Sequence, residues 1–177
     1  MTHFKHLKSQ TGQAFENLVN IINTQYTNQQ IALINKRPTP VTVVKAKGFK
    51  ILSAFFAEKS TVDYDGVYKG KSIVFEAKST IETRFPLKLL KDHQMKYLLN
   101  AEKHGAVSFV FIEFSKVRKY FYCPVSFINH YYIKSKEGGH KSIPIADFDI
   151  YAFEVDRGRV SLDYLAVVDQ LQESESS

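Results

Sequence analysis

The chain has 177 residues, is 44% hydrophobic and 24% charged, and carries a net charge of +6. Those proportions exclude a disordered or coiled-coil protein and suit one domain with its own core. A lone cysteine, Cys123, excludes a disulfide framework and a cysteine-rich zinc module. No apolar run approaches the roughly 20 residues of a membrane span, and no charged-then-apolar signal segment opens the chain. The expectation is a soluble protein of a reducing, cytoplasmic compartment with no membrane partner.

In chain order, a helix is predicted from Ser9 to Gln29. Ala14, Phe15, Leu18, Val19, Ile22 and Tyr26 form one apolar stripe, and Ser9 or Thr11 could cap it. Short extended segments follow at Ile31–Ile34, Val41–Lys45 and Ile51–Phe56. The prolines of Lys36-Arg37-Pro38-Thr39-Pro40 keep the first gap from being helical. Two strands are expected between Thr61 and Thr80, then a helix from Leu87 to Lys103 that Gly105 ends. Val107–Phe114 and Lys119–Val125 read as strands, Phe127–Ile133 as a short helix before the Gly138-Gly139 loop, and Leu162–Leu171 as a helix. Residues 172–177 read as a polar tail. The pattern is α/β, one mixed sheet with helices on it, in a single domain over 1–177.

The charge is uneven. Residues 1–60 hold eight Lys/Arg against two acids, residues 61–140 thirteen against eight, and residues 141–177 three against eight. A basic body with an acidic end suits an anionic partner, of which nucleic acid is the commonest.

The sharpest local signal is the run Asp63 to Lys78. Two strand-like stretches flank Lys69-Gly70, which suits a two-residue hairpin turn. With Tyr68 opposite Lys71, the register places Asp63 opposite Glu76 and Thr61 opposite Lys78, so Asp63, Glu76 and Lys78 share a face. Two opposed carboxylates repel unless a cation sits between them. Hard oxygen ligands favour Mg²⁺ or Mn²⁺ over zinc. An exposed hairpin with ordinary surface charges is the competing reading of the spacing.

Asp63 followed by Glu76-Ala77-Lys78 resembles the catalytic motif of the PD-(D/E)xK nuclease superfamily. A wider set of motifs is similar to RecU-type Holliday junction resolvases over residues 10–170. These are Lys36-Arg37-Pro38-Thr39-Pro40, the stretch Ser60–Gly70, Phe75-Glu76-Ala77-Lys78, Phe85-Pro86-Leu87, His93-Gln94 and Leu162-Asp163-Tyr164. The resemblance implies a restriction-endonuclease-like fold: a mixed central sheet flanked by helices, with a projecting two-stranded stalk at 36–59. It implies a homodimer that nicks paired strands of four-way DNA junctions with Mg²⁺, for which Mn²⁺ substitutes, during recombination and repair.

By the same resemblance Asp63, Glu76, Lys78 and Gln94 are catalytic. Asp63, Glu76 and the Ala77 main-chain carbonyl hold the metal, and Glu16 is a further candidate ligand. Lys36, Arg37, Lys45, Lys47 and Lys50, with Lys69 and Lys71, are expected on DNA. Phe55 and Phe56 are assigned to packing, in the core or a dimer interface. Nucleoid association and recombination-protein partners follow from the family. The stretch Lys45–Ser60 is shorter than in the family and lacks an arginine near the stalk tip. Val62 replaces a usual threonine, and Val74 stands where an acid is common. The rival function is a branched-DNA-binding recombination module with weak or different nuclease specificity.

Overall fold

The computed structural model describes residues 2–56 and 61–175, so Glu58, Lys59, Ser176 and Ser177 lie outside the described residues. Helix α1 (Thr2–Asn28) starts seven residues earlier than its pattern suggested, which puts Ser9 and Thr11 inside it rather than at its start. Phe15, Val19, Ile22 and Tyr26 are fully buried, as the stripe required, while Ala14 faces solvent. Gln30 takes a left-handed conformation (φ 57°), and the Ile31 amide bonds back to Tyr26 O at 2.9 Å. That closure delays strand β1 to Leu33–Lys36.

Strands β2 (Val41–Lys47) and β3 (Lys50–Phe56) form a separate antiparallel hairpin. Gly48, at φ 57°, begins its two-residue turn. Every β2 residue is exposed, Phe49 stands fully in solvent at the tip, and Phe55 is 57% exposed. Phe55 therefore does not enter this chain's core, which leaves the dimer interface of the two packing sites expected for it. The register shifts on both sides of Lys45.

Strands β4 (Tyr64–Tyr68) and β5 (Lys71–Thr80) pair with Tyr68 opposite Lys71 and Tyr64 opposite Phe75. Lys69 (φ 48°) and Gly70 (φ 76°) both occupy the left-handed region, which this tight hairpin turn requires. Gly66 lies against β1 so closely that a Cβ there would stand 2.6 Å from Ile34 Cα.

The expected helix from Leu87 is divided. Strand β6 (Arg84–Pro86) leads into a 3₁₀ turn at Leu87–Leu89, and α2 spans Asp92–Lys103. Extended backbone at Lys91 stops a helix from running through, and Gln94 Oε1 accepts the Lys91 amide at 2.9 Å to start a new one. Strands β7 (Val107–Phe114) and β8 (Lys119–Pro124) follow, then α3 (Val125–Lys136). Beyond the glycine loop, β9 (Ser142–Pro144), α4 (Ile145–Tyr151) and β10 (Phe153–Glu154) were not apparent in the sequence. Helix α5 (Tyr164–Glu175) runs into the expected tail.

The main sheet has order β1-β4-β5-β7-β8-β10, with β5 and β7 parallel and the other pairs antiparallel. Ile73 to Ala77 of β5 are buried on both faces. Two cores result. One joins α1 and α5 to the sheet through Phe15, Tyr26, Phe75, Phe109 and Tyr164. The other joins α2, α3 and α4 through Val74, Met95, Leu98, Val110, Phe121 and Phe148. On the first face Tyr64, Phe75, Phe109 and Tyr122 stack across four strands at 4.8, 4.7 and 4.2 Å. Each such contact adds about 0.5–1.5 kcal/mol beyond area burial. This α/β architecture, a mixed sheet between helices with an appended hairpin, is the expected fold class.

Candidate active site

Alternation along β5 sends Phe75 and Ala77 toward α1 and α5, and Glu76 and Lys78 toward α2. The β4–β5 ladder ends at Tyr64–Phe75, and Asp63 lies just beyond it. The two acids then meet through backbone rather than as a ladder pair. The Asp63 amide donates to Glu76 Oε2 at 2.9 Å, and the Ala77 amide donates to Asp63 Oδ2 at 3.2 Å. Thr61 does not face Lys78; its hydroxyl accepts from Arg37 instead.

The Lys78 ammonium completes the cluster. Its Nζ is 3.0 Å from Asp63 Oδ2, 3.1 Å from Glu76 Oε1 and 3.2 Å from Ala77 O. Three hard oxygens thus converge on one cation. They are the same three that the sequence reading assigned to a metal, so the donor set fits Mg²⁺ or Mn²⁺. Glu76 is wholly buried, whereas the side chains of Asp63 and Lys78 keep 20% and 17% exposure. Burial, reinforced by the Asp63 carboxylate, raises the Glu76 carboxyl to about 8 against the opposing pull of Lys78. Burial would lower the Lys78 ammonium, but the two carboxylates outweigh it and hold the ammonium charged.

Gln94 joins the cluster from the first turn of α2. Its Nε2 donates to Glu76 Oε1 while its Oε1 holds the Lys91 amide. One side chain therefore starts the helix and orients the buried acid. Val62 and Val74 pack in the core on this face.

The remaining expected residues divide. Glu16 is ion-paired to Lys36 rather than to the cluster; its main-chain carbonyl accepts from the Tyr64 hydroxyl at 3.1 Å. Burial, with the charges of Glu16, Asp63 and Glu76, raises the Tyr64 hydroxyl well above its ordinary value. Arg37 Nε lies 3.0 Å from Asp65 Oδ2, and the guanidinium covers the Tyr97 ring at 5.5 Å. Lys45, Lys47 and Lys50 are exposed on the β2–β3 hairpin. Lys69 pairs with Asp169 at 2.7 Å. It sits with Lys71 at the turn of β4–β5, whose Lys71 end is roughly 16 Å from Glu76 along the strand.

Sequence reasoning missed Asp65, Tyr97 and Arg159. Arg159 ties Asp163 and Asp169 together, with Nε 2.7 Å from Asp163 Oδ2 and Nη1 3.1 Å from Asp169 Oδ2. Only the Leu162-Asp163-Tyr164 motif pointed there, and it proves structural: Tyr26 donates to Asp163 at 2.9 Å, and Tyr164 donates to Asn23 at 2.6 Å.

A family model described as RecU, Recombination protein U, matches residues 10–170. The chain belongs to the RecU family. It is 34% identical over 170 residues to the Holliday junction resolvase RecU of Pediococcus pentosaceus, covering 92% of this chain and 85% of that protein. The RecU of Geobacillus kaustophilus is 35% identical, with 90% and 84% covered. That of Listeria welshimeri is 37% identical, with 90% and 83% covered. The RecU match spans both the acid cluster and the β2–β3 hairpin.

Proposed function

We propose that this chain is a Holliday junction resolvase: an endonuclease that opens four-way DNA junctions by paired, metal-dependent phosphodiester hydrolysis in recombination and repair. The observation that carries it is the convergence of Asp63, Glu76 and Ala77 O on the Lys78 ammonium, in a chain whose relatives bear that name.

Asp63, Glu76 and the Ala77 carbonyl would hold Mg²⁺, with Mn²⁺ as a substitute, and Glu16 would lend an outer contact if it left Lys36. Bound there, the cation lowers the pKa of a coordinated water and neutralises charge on the scissile phosphate. Lys78 orients the attacking water and stabilises charge that develops on the phosphate oxygens. Gln94 keeps Glu76 aimed inward. A water oxygen bonds to phosphorus as the bond to the leaving sugar oxygen breaks, and that oxygen takes up a proton.

Lys45, Lys47 and Lys50, with Lys36 at the hairpin base and Phe49 at its tip, form the surface we assign to junction DNA. Converging phosphates attract the ammonium groups, and an unstacked base offers a face to an aromatic ring. Two opposed nicks need two sites, which a symmetric homodimer supplies. The setting is the cytoplasm, at the nucleoid, beside recombination proteins.

The deciding experiment incubates a labelled four-way junction and a linear duplex with the protein, in Mg²⁺ and in EDTA. Symmetric nicks in the junction alone, lost with EDTA and in Asp63→Asn, support the reading. Binding without nicks replaces it with a branched-DNA-binding module.

A further inference from the structure

Arg37 has a side chain that reaches both flanks of Asp63. It follows β1 directly, and its amide donates to Asp63 O at 2.8 Å, which extends the β1–β4 pairing by one bond. Its Nη1 donates to the Thr61 hydroxyl, two residues before Asp63, and its Nε pairs at 3.0 Å with Asp65, two residues after. The guanidinium plane rests on Tyr97, one turn along α2 from Gln94. A planar fork with fixed donors suits this grip, and a lysine ammonium does not. On the other side of Arg37, Pro38-Thr39-Pro40 leads straight into β2 of the exposed hairpin. Pro38 and Pro40 have fixed φ, so this link is short and stiff.

We infer that Arg37 is a positioning residue: it clasps the 61–65 segment to α2, and so sets the Asp63 carboxylate in register with Glu76 and ties it to the base of the DNA-facing hairpin. All of its observed partners lie within this chain. Its guanidinium is engaged at once by Asp65, Thr61 and Tyr97, and we assign its charge to geometry rather than to a phosphate. The inference rests on the nuclease reading for its rate effect but not for its structural effect. Without the clasp, Asp63 Oδ2 loses its hold on the Ala77 amide, and the oxygens that converge on Lys78 separate. A misplacement of about 1 Å at reacting groups costs on the order of a hundredfold in rate.

The test uses the full chain with Arg37→Gln, Arg37→Lys and Asp65→Asn. Three quantities are measured: single-turnover nicking of a four-way junction in Mg²⁺, equilibrium binding of that junction in EDTA, and hydrogen exchange at the Ala77 amide. The expected result is nicking slowed by about a hundredfold, junction affinity unchanged, and faster exchange at Ala77. Arg37→Lys should fail to restore either rate or protection. Weakened binding with wild-type nicking at saturation would overturn the inference and make Arg37 a phosphate contact. Wild-type nicking and exchange in both Arg37→Gln and Asp65→Asn would overturn it as well. If Arg37→Gln does not fold, Asp65→Asn decides alone, since it removes the partner's negative charge and leaves the guanidinium. If the wild-type protein binds the junction but never nicks it, the nuclease reading fails, and Ala77 exchange still judges the clasp.

Discussion

The Asp63 amide donates to the Glu76 carboxylate at 2.9 Å, and the amide next to Glu76 returns a bond to the Asp63 carboxylate. Each acid is held by backbone belonging to the other's strand. This reciprocity places two acids side by side without relying on side-chain packing, and the Lys78 ammonium lies against both.

Asp63→Asn keeps that backbone geometry and removes one negative charge. Nicking should fall by at least about a hundredfold, because a group serving developing charge is lost. Junction binding in EDTA should not weaken. A gel-shift titration beside a cleavage time course checks both; affinity falling in step with rate would place Asp63 on DNA instead.

Lys45, Lys47 and Lys50 carry the exposed positive charge of the β2–β3 hairpin. Changing each to alanine should lower the slope of log affinity against log salt by about one for every phosphate contact removed. Preference for a junction over a linear duplex should fall with it. Binding isotherms at several salt concentrations on both substrates measure this, and parallel loss on both would leave the hairpin without a role in shape recognition.

Asp163 contributes to the response to acid. Burial would raise its carboxyl, but hydrogen bonds from Arg159 and Tyr26 outweigh that and hold it below the ordinary carboxylate range. A depressed folded value means the ionised group stabilises the fold above the ordinary pKa of about 3.9. That contribution is lost as pH falls through the folded value. Asp163→Asn should destabilise the protein by about 1–3 kcal/mol at neutral pH. The gap to wild type should narrow in strong acid, as denaturant titrations at pH 7 and pH 3 would reveal.

Gly66→Ala should disrupt the outer strand pair. The added Cβ would meet main-chain atoms of Leu33 and Ile34, which cannot swing away as a flexible side chain would. A loss of about 1–3 kcal/mol or more is expected from such overpacking. A lower thermal midpoint, with added hydrogen exchange in β1, is the readout.

The hairpin turn and the acid cluster were legible because their signals are local. Lys69-Gly70 fixes the register through its left-handed φ values, and alternation then carries Glu76 and Lys78 to one face. Helix α1 was legible in its stripe but not in its start, since residues 8–13 hold no apolar side chain to continue the period toward the N-terminus. The division of Leu87–Lys103 was hidden because Gln94 works as a helix-starting group only after Lys91 adopts extended backbone. The role of Arg37 was out of reach for another reason. It depends on β1 pairing with β4 across the whole intervening hairpin, and nothing beside Arg37 in the chain names Asp65 or Tyr97 as its partners. Lys69 pairs with Asp169, a partner one hundred residues away that the turn sequence does not name. Segment 142–154 was missed because two of its three elements are three residues or shorter.

Tyr164 of α5 packs edge-on or tilted against Tyr26, Phe75, Phe109 and Phe111, immediately behind the strand that bears Glu76. During synthesis this ring leaves the ribosome long after Asp63, Glu76 and Lys78. A nascent chain thus carries Asp63, Glu76 and Lys78 on a strand backed by α1 alone, and that layer is completed only once the segment containing α5 has emerged.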